Sequence, residues 1–139
     1  MDTHAYMLNT DILSDLIRRP TGKIFEKLKA VLPATACTSI ITAAEIRFGL
    51  AKAGSSKLNR QADMILGTLD ILPLERPVDE HYAAIRAALN KAGLPIGGND
   101  LFIAAHARAL DLTLVTANVR EFARVTDLRI ENWLVSVAS

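Results

Sequence analysis

Residues 99–125 read NDLFIAAHARALDLTLVTANVREFARV. The alanine-rich first half is typical of a helix, whereas LTLVT (112–116) is a short apolar run that favours a buried strand. VREFARV (119–125) then predicts a short second helix. A buried strand between two helices is the repeating unit of α/β proteins, in which each crossover returns the next strand parallel to the last. This stretch therefore predicts an α/β fold.

The same alternation of strands and helices runs through the rest of the chain. Pro73 cannot donate to a strand ladder, so the strand that contains it is expected at an edge of the sheet. We expect a single domain over residues 1–139, with a mostly parallel sheet that helices cover on both faces. The other predicted strands are AYML (5–8), ATACTSII (34–41), ILPL (71–74) and LRIENWL (128–134), and the other predicted helices are 10–19, 22–32, 42–54, 55–70 and 78–93.

Composition limits the classes of function. Half of the 139 residues are hydrophobic, 22% are charged and the formal net charge is +1, as in a compact globular protein. This balance gives no strong nucleic-acid signature, so RNA would have to be attracted by local basic patches. No signal peptide is evident at the N-terminus, and no apolar run reaches the ~20 residues that span a bilayer. We expect a cytoplasmic protein with Cys37 as a buried thiol.

Polar side chains follow several of the predicted strands. In parallel α/β sheets, ligands bind beyond the carboxyl ends of the strands, near the point where strand order reverses. The polar residues are therefore candidates for a functional site. They are Asn9 and Asp11 after AYML, Glu45 in the first turn after CTSII, Asp100 at the start of the helix after GLPIGG, and Asn118 after LTLVTA with Glu121 one turn later.

Each of these residues also has a purely structural interpretation. Thr42 and Glu45 fit a capping box, Asp100 is favoured at a helix start by the helix dipole, and Thr10 or Asp11 suits an N-cap. Together, however, several carboxylates in one cleft would repel each other, and a divalent cation would remove that cost. Magnesium and manganese prefer such oxygen ligands and suit phosphodiester cleavage.

Three segments carry a resemblance to a known family: LNTDILSDLI (8–17), TSIITAAEIRFGL (38–50) and LPIGGNDLFIAAHARALDLTLVTANVREF (94–122). They resemble the PIN-domain ribonucleases, and among them the VapC toxins of bacterial toxin–antitoxin pairs. The resemblance runs from Tyr6 to Trp133. It implies a three-layer fold around a four- to five-stranded sheet. It also implies an endoribonuclease that depends on Mg²⁺ or Mn²⁺ and cleaves single-stranded RNA, in particular a tRNA loop.

The resemblance also assigns roles to individual residues. The catalytic positions are Asn9, Glu45, Asp100, Asn118 and Glu121. Of these, Asn9, Glu45 and Asp100 would hold the metal. Supporting polar groups are expected from Thr10, Asp11, Ser39 and Thr116, and phosphate contacts from Arg86 and Arg120. His106 is expected to serve in packing or on the surface, and Trp133 in the core.

The chain departs from the family at its first strand end. The family usually reads LDTN where this chain reads LNTD, so Asn9 replaces the expected aspartate. An amide oxygen can still coordinate a metal, but it carries no charge and cannot act as a base. Asp11 could supply the missing charge, or metal binding is weakened in a natural or an engineered variant. We favour weakened metal binding.

Partners follow from the resemblance. A cognate VapB-type antitoxin would lay a segment across the cleft, with an arginine facing the carboxylates. The apolar residues of AEIRFGLAKA (44–53) and IFEKLKAVL (24–32) would form its groove. A homodimer is expected through the helices near residues 12–16 or 82–89. The alternative function is a non-catalytic module that keeps the fold and docks an antitoxin or RNA, and a more distant alternative is a phosphatase of another α/β family.

Overall fold

The computed structural model describes residues 4–135, and in them five parallel strands form one sheet in the order β3-β2-β1-β4-β5. The strands are β1 His4–Leu8, β2 Thr35–Ser39, β3 Asp70–Leu72, β4 Thr113–Val115 and β5 Ile130–Glu131. The helices are α1 Thr10–Arg18, α2 Lys23–Ala30, α3 Ile40–Ala53, α4 Ser56–Thr68, α5 Val78–Ala92, α6 Gly98–Ala109 and α7 Val119–Phe122.

Alternating side chains on the strands build a separate core on each face of the sheet. On β1, Met7 packs with the apolar residues of α5, α6 and α7, while Leu8 packs with those of α1, α3 and α4. On β4, Leu114 and Val115 divide in the same way, as the period of two along a strand requires. The predicted α/β class, with a parallel sheet between two helical layers, is confirmed.

The order of the strands determines where a site can form. The chain runs from β1 outward through β2 to β3, and it then returns to the other side of β1 as β4. Strand order therefore reverses between β1 and β4, and helices leave these neighbouring strands on opposite faces of the sheet. A crevice opens outside the carboxyl ends of strands at such a point. The residues that follow β1 and β4 are Asn9 and Thr116.

Several predicted boundaries are wrong. Helix α3 begins at Ile40, and its N-cap is Ser39, whose hydroxyl accepts from the Ile41 amide at 3.1 Å. Ile40 and Ile41 therefore belong to the helix and not to the strand, and Thr42 does not form a capping box. Helix α5 begins at Val78, and Asp79 lies in its first turn.

Other predictions about buried residues are confirmed. Cys37 is fully buried, and Trp133 lies in the core, where its ring meets that of Tyr6 edge-on at 5.0 Å between centroids. Strand β3 lies at the edge of the sheet as predicted. No helix within residues 4–135 is sufficiently long and apolar to span a bilayer.

The apolar side chains of α1 do not form an exposed surface. Ile12, Leu13 and Leu16 are at most 3% exposed and pack in the core. A dimer contact near residues 12–16 would therefore have to use other side chains of this helix, and it stays a prediction.

Candidate active site

Asn9 lies at the centre of the crevice, directly after β1. Its backbone amide continues the ladder to β4 by donating to the Val115 carbonyl at 2.9 Å, which fixes the residue between the two strands. The side chain is 5% exposed, and its Nδ2 donates to the Thr116 hydroxyl at 3.0 Å. Its Oδ1 is buried and has no hydrogen-bond partner among the described residues. A buried acceptor of this kind is costly unless a cation or a water satisfies it.

Asp11 reaches the same strand end from the first turn of α1. Its Oδ2 accepts from the Ala117 amide at 2.8 Å, and its Oδ1 accepts from the Ile12 amide at 2.9 Å. The Thr116 hydroxyl also faces this carboxylate, at 3.4 and 3.5 Å from its two oxygens. The side chain of Asp11 is thereby fixed beside the end of β4.

Glu45 enters the site from α3. Because that helix begins at Ile40, Glu45 lies in its second turn and not in its first. The Thr10 hydroxyl donates to Glu45 Oε1 at 2.5 Å, and the Asn99 amide donates to Oε2 at 3.3 Å. Residues that follow β1 and that begin α6 therefore hold this carboxylate toward the crevice.

Asp100 lies in the first turn of α6 and is partly buried. Burial and the neighbouring charge of Glu121 raise the pKa of Asp100 to about 7, and a hydrogen bond with Glu121 and the charges of Glu45 and Asp11 act in the same direction. Three separate segments therefore bring carboxylates to Asp100. Such a strongly perturbed carboxyl group is typical of a functional site.

The carboxylate of Glu121 is held in place by hydrogen bonds from neighbouring residues. Its Oε1 accepts from the Gly97 amide at 3.1 Å, and its Oε2 accepts from the Asn118 side chain at 2.6 Å. Partial burial acts to raise the pKa of Glu121, but these hydrogen bonds outweigh it and hold that pKa below its usual value. Glu121 is thus the ionised partner of a pair in which Asp100 holds the proton.

The donors at this edge fit a hard divalent cation. They are carboxylate and amide oxygens, which Mg²⁺ and Mn²⁺ prefer. A cation would satisfy the buried Asn9 Oδ1 and relieve the repulsion that raises the pKa of Asp100. Within residues 4–135, no three side chains of His, Cys, Asp or Glu are grouped to hold a metal without other donors. A metal at this edge would therefore need further oxygen donors, and the Asn9 Oδ1 atom is a candidate.

The side chains of Ser39 and His106 form a hydrogen bond that was not predicted from the sequence. The two side chains are 2.9 Å apart between Ser39 Oγ and His106 Nδ1, and the ring also bonds to the backbone carbonyl of Pro73. Burial lowers the pKa of His106, which is therefore neutral. The prediction of a packing role for this histidine is consistent with its 1% exposure.

The two predicted phosphate-binding arginines lie beside different cavities. Arg120 borders a cavity of about 410 Å³ that also includes Asn118 and Glu121. Arg86 lies on α5, where it donates to the Tyr82 hydroxyl at 2.9 Å and borders a cavity of about 190 Å³. Only the cavity of Arg120 shares residues with the carboxylate cluster.

Sequence reasoning missed several groups in the site. These are the Asn99 side chain, which contacts Glu45, and the backbone amides of Gly97 and Ala117, which contact Glu121 and Asp11. The amides could not have been found, because a backbone donor leaves no signal in residue type. Of these groups, only Asn99 could have been found from the sequence, because it is a polar residue directly before Asp100.

Comparison with known proteins identifies the family. The model of the PIN domain matches residues 6–128. This chain is a member of the PIN-domain family. Ribonuclease VapC2 of Haemophilus influenzae is 39% identical over 130 residues, which cover 93% of this chain and 98% of the relative. The tRNA(fMet)-specific endonuclease VapC of Shigella flexneri is 33% identical over 129 residues, covering 92% and 97%.

A solved structure agrees with these relatives. The structure is that of the VapBC2 complex of Rickettsia felis, bound to a DNA fragment from its promoter. One of its chains matches this PIN domain with a TM-score of 0.86 and 34% identity. The match covers 93% of this chain and 98% of that chain. The predicted resemblance to the VapC proteins is confirmed.

Proposed function

We propose that this PIN domain is a metal-dependent endoribonuclease that cleaves single-stranded RNA. The proposal rests on the convergence of Asn9, Glu45, Asp100 and Glu121 at the edge where β1 and β4 end, together with the ribonuclease names of its relatives. Mg²⁺ or Mn²⁺ would be held by Asn9, Glu45 and Asp100 and would activate water and neutralise charge on the phosphate.

The residues of the site have separable roles in this proposal. In the metal-free protein, Asp100, with a pKa of about 7, holds a proton on its carboxyl below neutral pH, and a bound cation would displace that proton. Glu121 accepts the hydrogen bond from that carboxyl, and Asn118 keeps Glu121 in place. Thr10 and Asn99 orient Glu45. Asn9 contributes a neutral oxygen, so we expect weaker metal binding than an aspartate at this position would give.

The substrate is proposed from chemistry and from one relative. Arg120 lies beside the carboxylate cluster and offers a guanidinium to a phosphate. The relative from Shigella flexneri is named a tRNA(fMet)-specific endonuclease. We therefore propose a tRNA loop as the substrate of this chain, with Arg120 contacting the backbone. Arg86 is proposed as a more distant phosphate contact.

The test is cleavage of tRNA by the purified chain in the presence of Mn²⁺ or Mg²⁺. The Asn9→Asp variant is expected to cleave faster than the unaltered chain, because it adds a charged metal ligand. Asp100→Asn and excess EDTA are each expected to reduce cleavage by about 100-fold or more, because both remove electrostatic stabilisation of the transition state. Asp79→Asn removes an exposed carboxylate in the first turn of α5 and is the matched control.

Two results would contradict the proposal. Cleavage that persists in Asp100→Asn at the unaltered rate would indicate a contaminating nuclease. Absence of cleavage in both the unaltered chain and Asn9→Asp, although both remain folded, would remove the enzymatic assignment.

A VapB-type antitoxin is the proposed protein partner. A groove of about 210 Å³ is lined by residues of α1, α3 and α4, and Glu45 is one of them. Its apolar lining includes Ile46, Leu50 and Leu58. Because Glu45 borders the groove, a basic side chain of a bound segment would lie beside the carboxylates. Residues 24–32 do not line this groove, whereas α1 does. The contribution of residues 24–32 to antitoxin binding stays a prediction.

A homodimer is proposed through the predicted surface on α5. The Tyr82 ring stacks on Phe102 of α6 with centroids 4.4 Å apart, next to an open cavity of about 410 Å³ lined by Leu74 and Val78. Tyr82→Ala is expected to shift the protein toward a monomer in light scattering, whereas Phe48→Ala on α3 is not. A monomeric unaltered chain would refute this part of the proposal.

The neutral side chain at position 9 favours one alternative function, a non-catalytic module that binds an antitoxin or RNA through the same fold. That alternative predicts no heat of Mn²⁺ binding and no hydrolysis by the unaltered chain, while partner binding survives Asp100→Asn. Titration calorimetry with Mn²⁺ therefore separates the two functions before any RNA is tested.

A further inference from the structure

We propose that Asp11, linked through the Thr116 hydroxyl, supplies the negative charge that Asn9 lacks, so that positions 9 and 11 work as a pair. This inference rests on the proposed metal site. It assigns to Asp11 the role of a positioning and charge-supplying residue beside the cation, and it explains how a chain with a neutral residue at the centre of the crevice keeps metal affinity.

The direction of the hydrogen bonds at Thr116 is the first observation. A hydroxyl has one proton and two lone pairs. The Thr116 oxygen accepts from Asn9 Nδ2 at 3.0 Å and from the Asn118 backbone amide at 3.0 Å, which occupies both lone pairs. Its proton is therefore directed to Asp11, whose oxygens lie 3.4 and 3.5 Å away. Thr116 is 0% exposed, so water does not compete for these bonds.

The orientation of Asn9 follows from these bonds. Because its nitrogen faces Thr116, its oxygen points the other way, and that oxygen is the buried acceptor without a partner among the described residues. The side chain is thus held with a free oxygen, although it carries no charge. The amide serves as a ligand only if a neighbouring group supplies the charge.

The carboxylate of Asp11 is positioned to supply this negative charge. This carboxylate accepts from the Ala117 amide at 2.8 Å, from the Ile12 amide at 2.9 Å and from the Thr116 hydroxyl, so one of its four lone pairs remains. It also acts on the metal-ligand candidate Asp100, since its charge is among those that raise the pKa of that residue. Asp11 therefore lies within electrostatic range of the proposed cation.

Changing Asn9 to aspartate would alter these hydrogen bonds. An aspartate at position 9 would present an acceptor to the Thr116 hydroxyl, whose proton would then turn away from Asp11. A carboxylate at position 9 would itself supply the charge beside the cation, so the charge of Asp11 would no longer be needed.

The test measures the affinity for Mn²⁺ alone, by calorimetry, in the unaltered chain, Asp11→Asn, Asn9→Asp and the double variant. In the unaltered background, Asp11→Asn is expected to weaken binding by about 10–100-fold, as the loss of groups that support a metal ligand typically does. In the Asn9→Asp background, the same change is expected to leave the affinity unchanged or to increase it. Asparagine keeps the shape of Asp11, and its oxygen can still accept from Ala117.

Asp15→Asn is the matched control, because Asp15 lies on the same helix but pairs with Arg19 at 2.6 Å on the surface. It is expected to leave Mn²⁺ affinity within about twofold of the unaltered value. Thermal unfolding without metal establishes that each variant is folded. A variant that fails to fold is replaced by Thr116→Val, which removes the link between positions 9 and 11 and is expected to weaken Mn²⁺ binding in the unaltered background.

The possible failures are distinguishable. Equal losses on Asp11→Asn in both backgrounds, or no loss in either, would overturn the pairing and leave the proposed nuclease intact. Binding by Asn9→Asp but not by the unaltered chain would also overturn it, since Asp11 would then supply nothing. Absence of binding in all four proteins would overturn both this inference and the proposed function.

Discussion

Asp100→Asn is expected to stabilise the metal-free protein while abolishing its proposed activity. In the absence of a cation, Asp100 is a partly buried carboxyl whose pKa is raised to about 7 by burial and by Glu121, Glu45 and Asp11. Ionising it above that pH costs free energy that folding must supply. Asparagine has nearly the same shape, carries no charge and can donate to Glu121 as the protonated acid does.

The magnitude follows from the displacement of the pKa. A change from 3.8 to about 7 corresponds to about 4 kcal/mol at most if the full displacement acts on stability. Asp100 is only partly buried, so solvent screening reduces the expected gain to about 1–2 kcal/mol. With about 2.1 cal/mol/K of unfolding entropy per residue, that gain raises the Tm of a 139-residue chain by about 3–7 °C.

The sign of the pH dependence is fixed by the direction of the shift. Because the folded pKa of Asp100 exceeds its unfolded value, the unaltered protein binds more protons when folded, and its stability falls as pH rises between about 4 and 7. The Asp100→Asn variant has no carboxyl at this position, so its stability does not fall for this reason. Its advantage is therefore nearly absent at pH 4, grows through the interval and is complete above pH 7.

The assay is urea unfolding in EDTA at intervals from pH 4 to 8, with Asp79→Asn as the control for removal of an exposed carboxylate. Glu121→Gln removes the largest repelling charge and is expected to recover part of the same gain at pH 8. An Asp100→Asn variant that is destabilised at pH 8, or whose advantage does not change with pH, would refute the reasoning. Either result would mean that the carboxylates are not close enough to interact.

Three further predictions test groups around the site. His106→Leu removes a buried ring that forms a hydrogen bond with Ser39, so the free energy of unfolding in urea should fall by about 2–4 kcal/mol. An unchanged free energy of unfolding would contradict that hydrogen bond. Arg120→Ala should weaken tRNA binding and lower the magnitude of the slope of log affinity against log salt concentration by about 0.7. An unchanged slope would mean that Arg120 does not contact the RNA backbone. Thr42→Val removes a buried hydroxyl that has no partner among the described residues, and should raise the unfolding free energy by about 1 kcal/mol; a decrease would indicate a bound water.

The fold could be predicted because its strands are coded locally. Short apolar and β-branched runs separated by helical periodicity specify a covered parallel sheet without knowledge of distant contacts. Boundaries were less predictable where two capping residues compete. Ser39 and Thr42 are both suitable N-caps, and Thr42 with Glu45 even fits a capping box. The choice is made by β2, which pairs with β3 as far as Ser39, so the helix begins immediately afterwards.

The site was predictable in part for a topological reason. Residues after parallel strands meet at one edge, so Asn9 and Asn118 could be grouped from their positions alone. The contacts among them were not predictable, because they depend on side-chain directions across segments that are distant in sequence. The Gly97 amide reaches Glu121 from 24 residues away, and no local pattern records that hydrogen bond.

Proton release should govern metal affinity if Asp100 is a ligand. A cation and a proton compete for the same carboxyl, whose pKa is about 7. The Mn²⁺ association constant is therefore expected to rise by about tenfold per pH unit well below pH 7 and to level off above it. Glu121→Gln removes the nearest repelling charge and lowers that pKa, so its plateau should begin at a lower pH. Calorimetry between pH 5.5 and 8 measures both curves. A flat affinity in the unaltered chain would mean that the cation binds without displacing the proton of Asp100, and Asp100 would then not be a ligand.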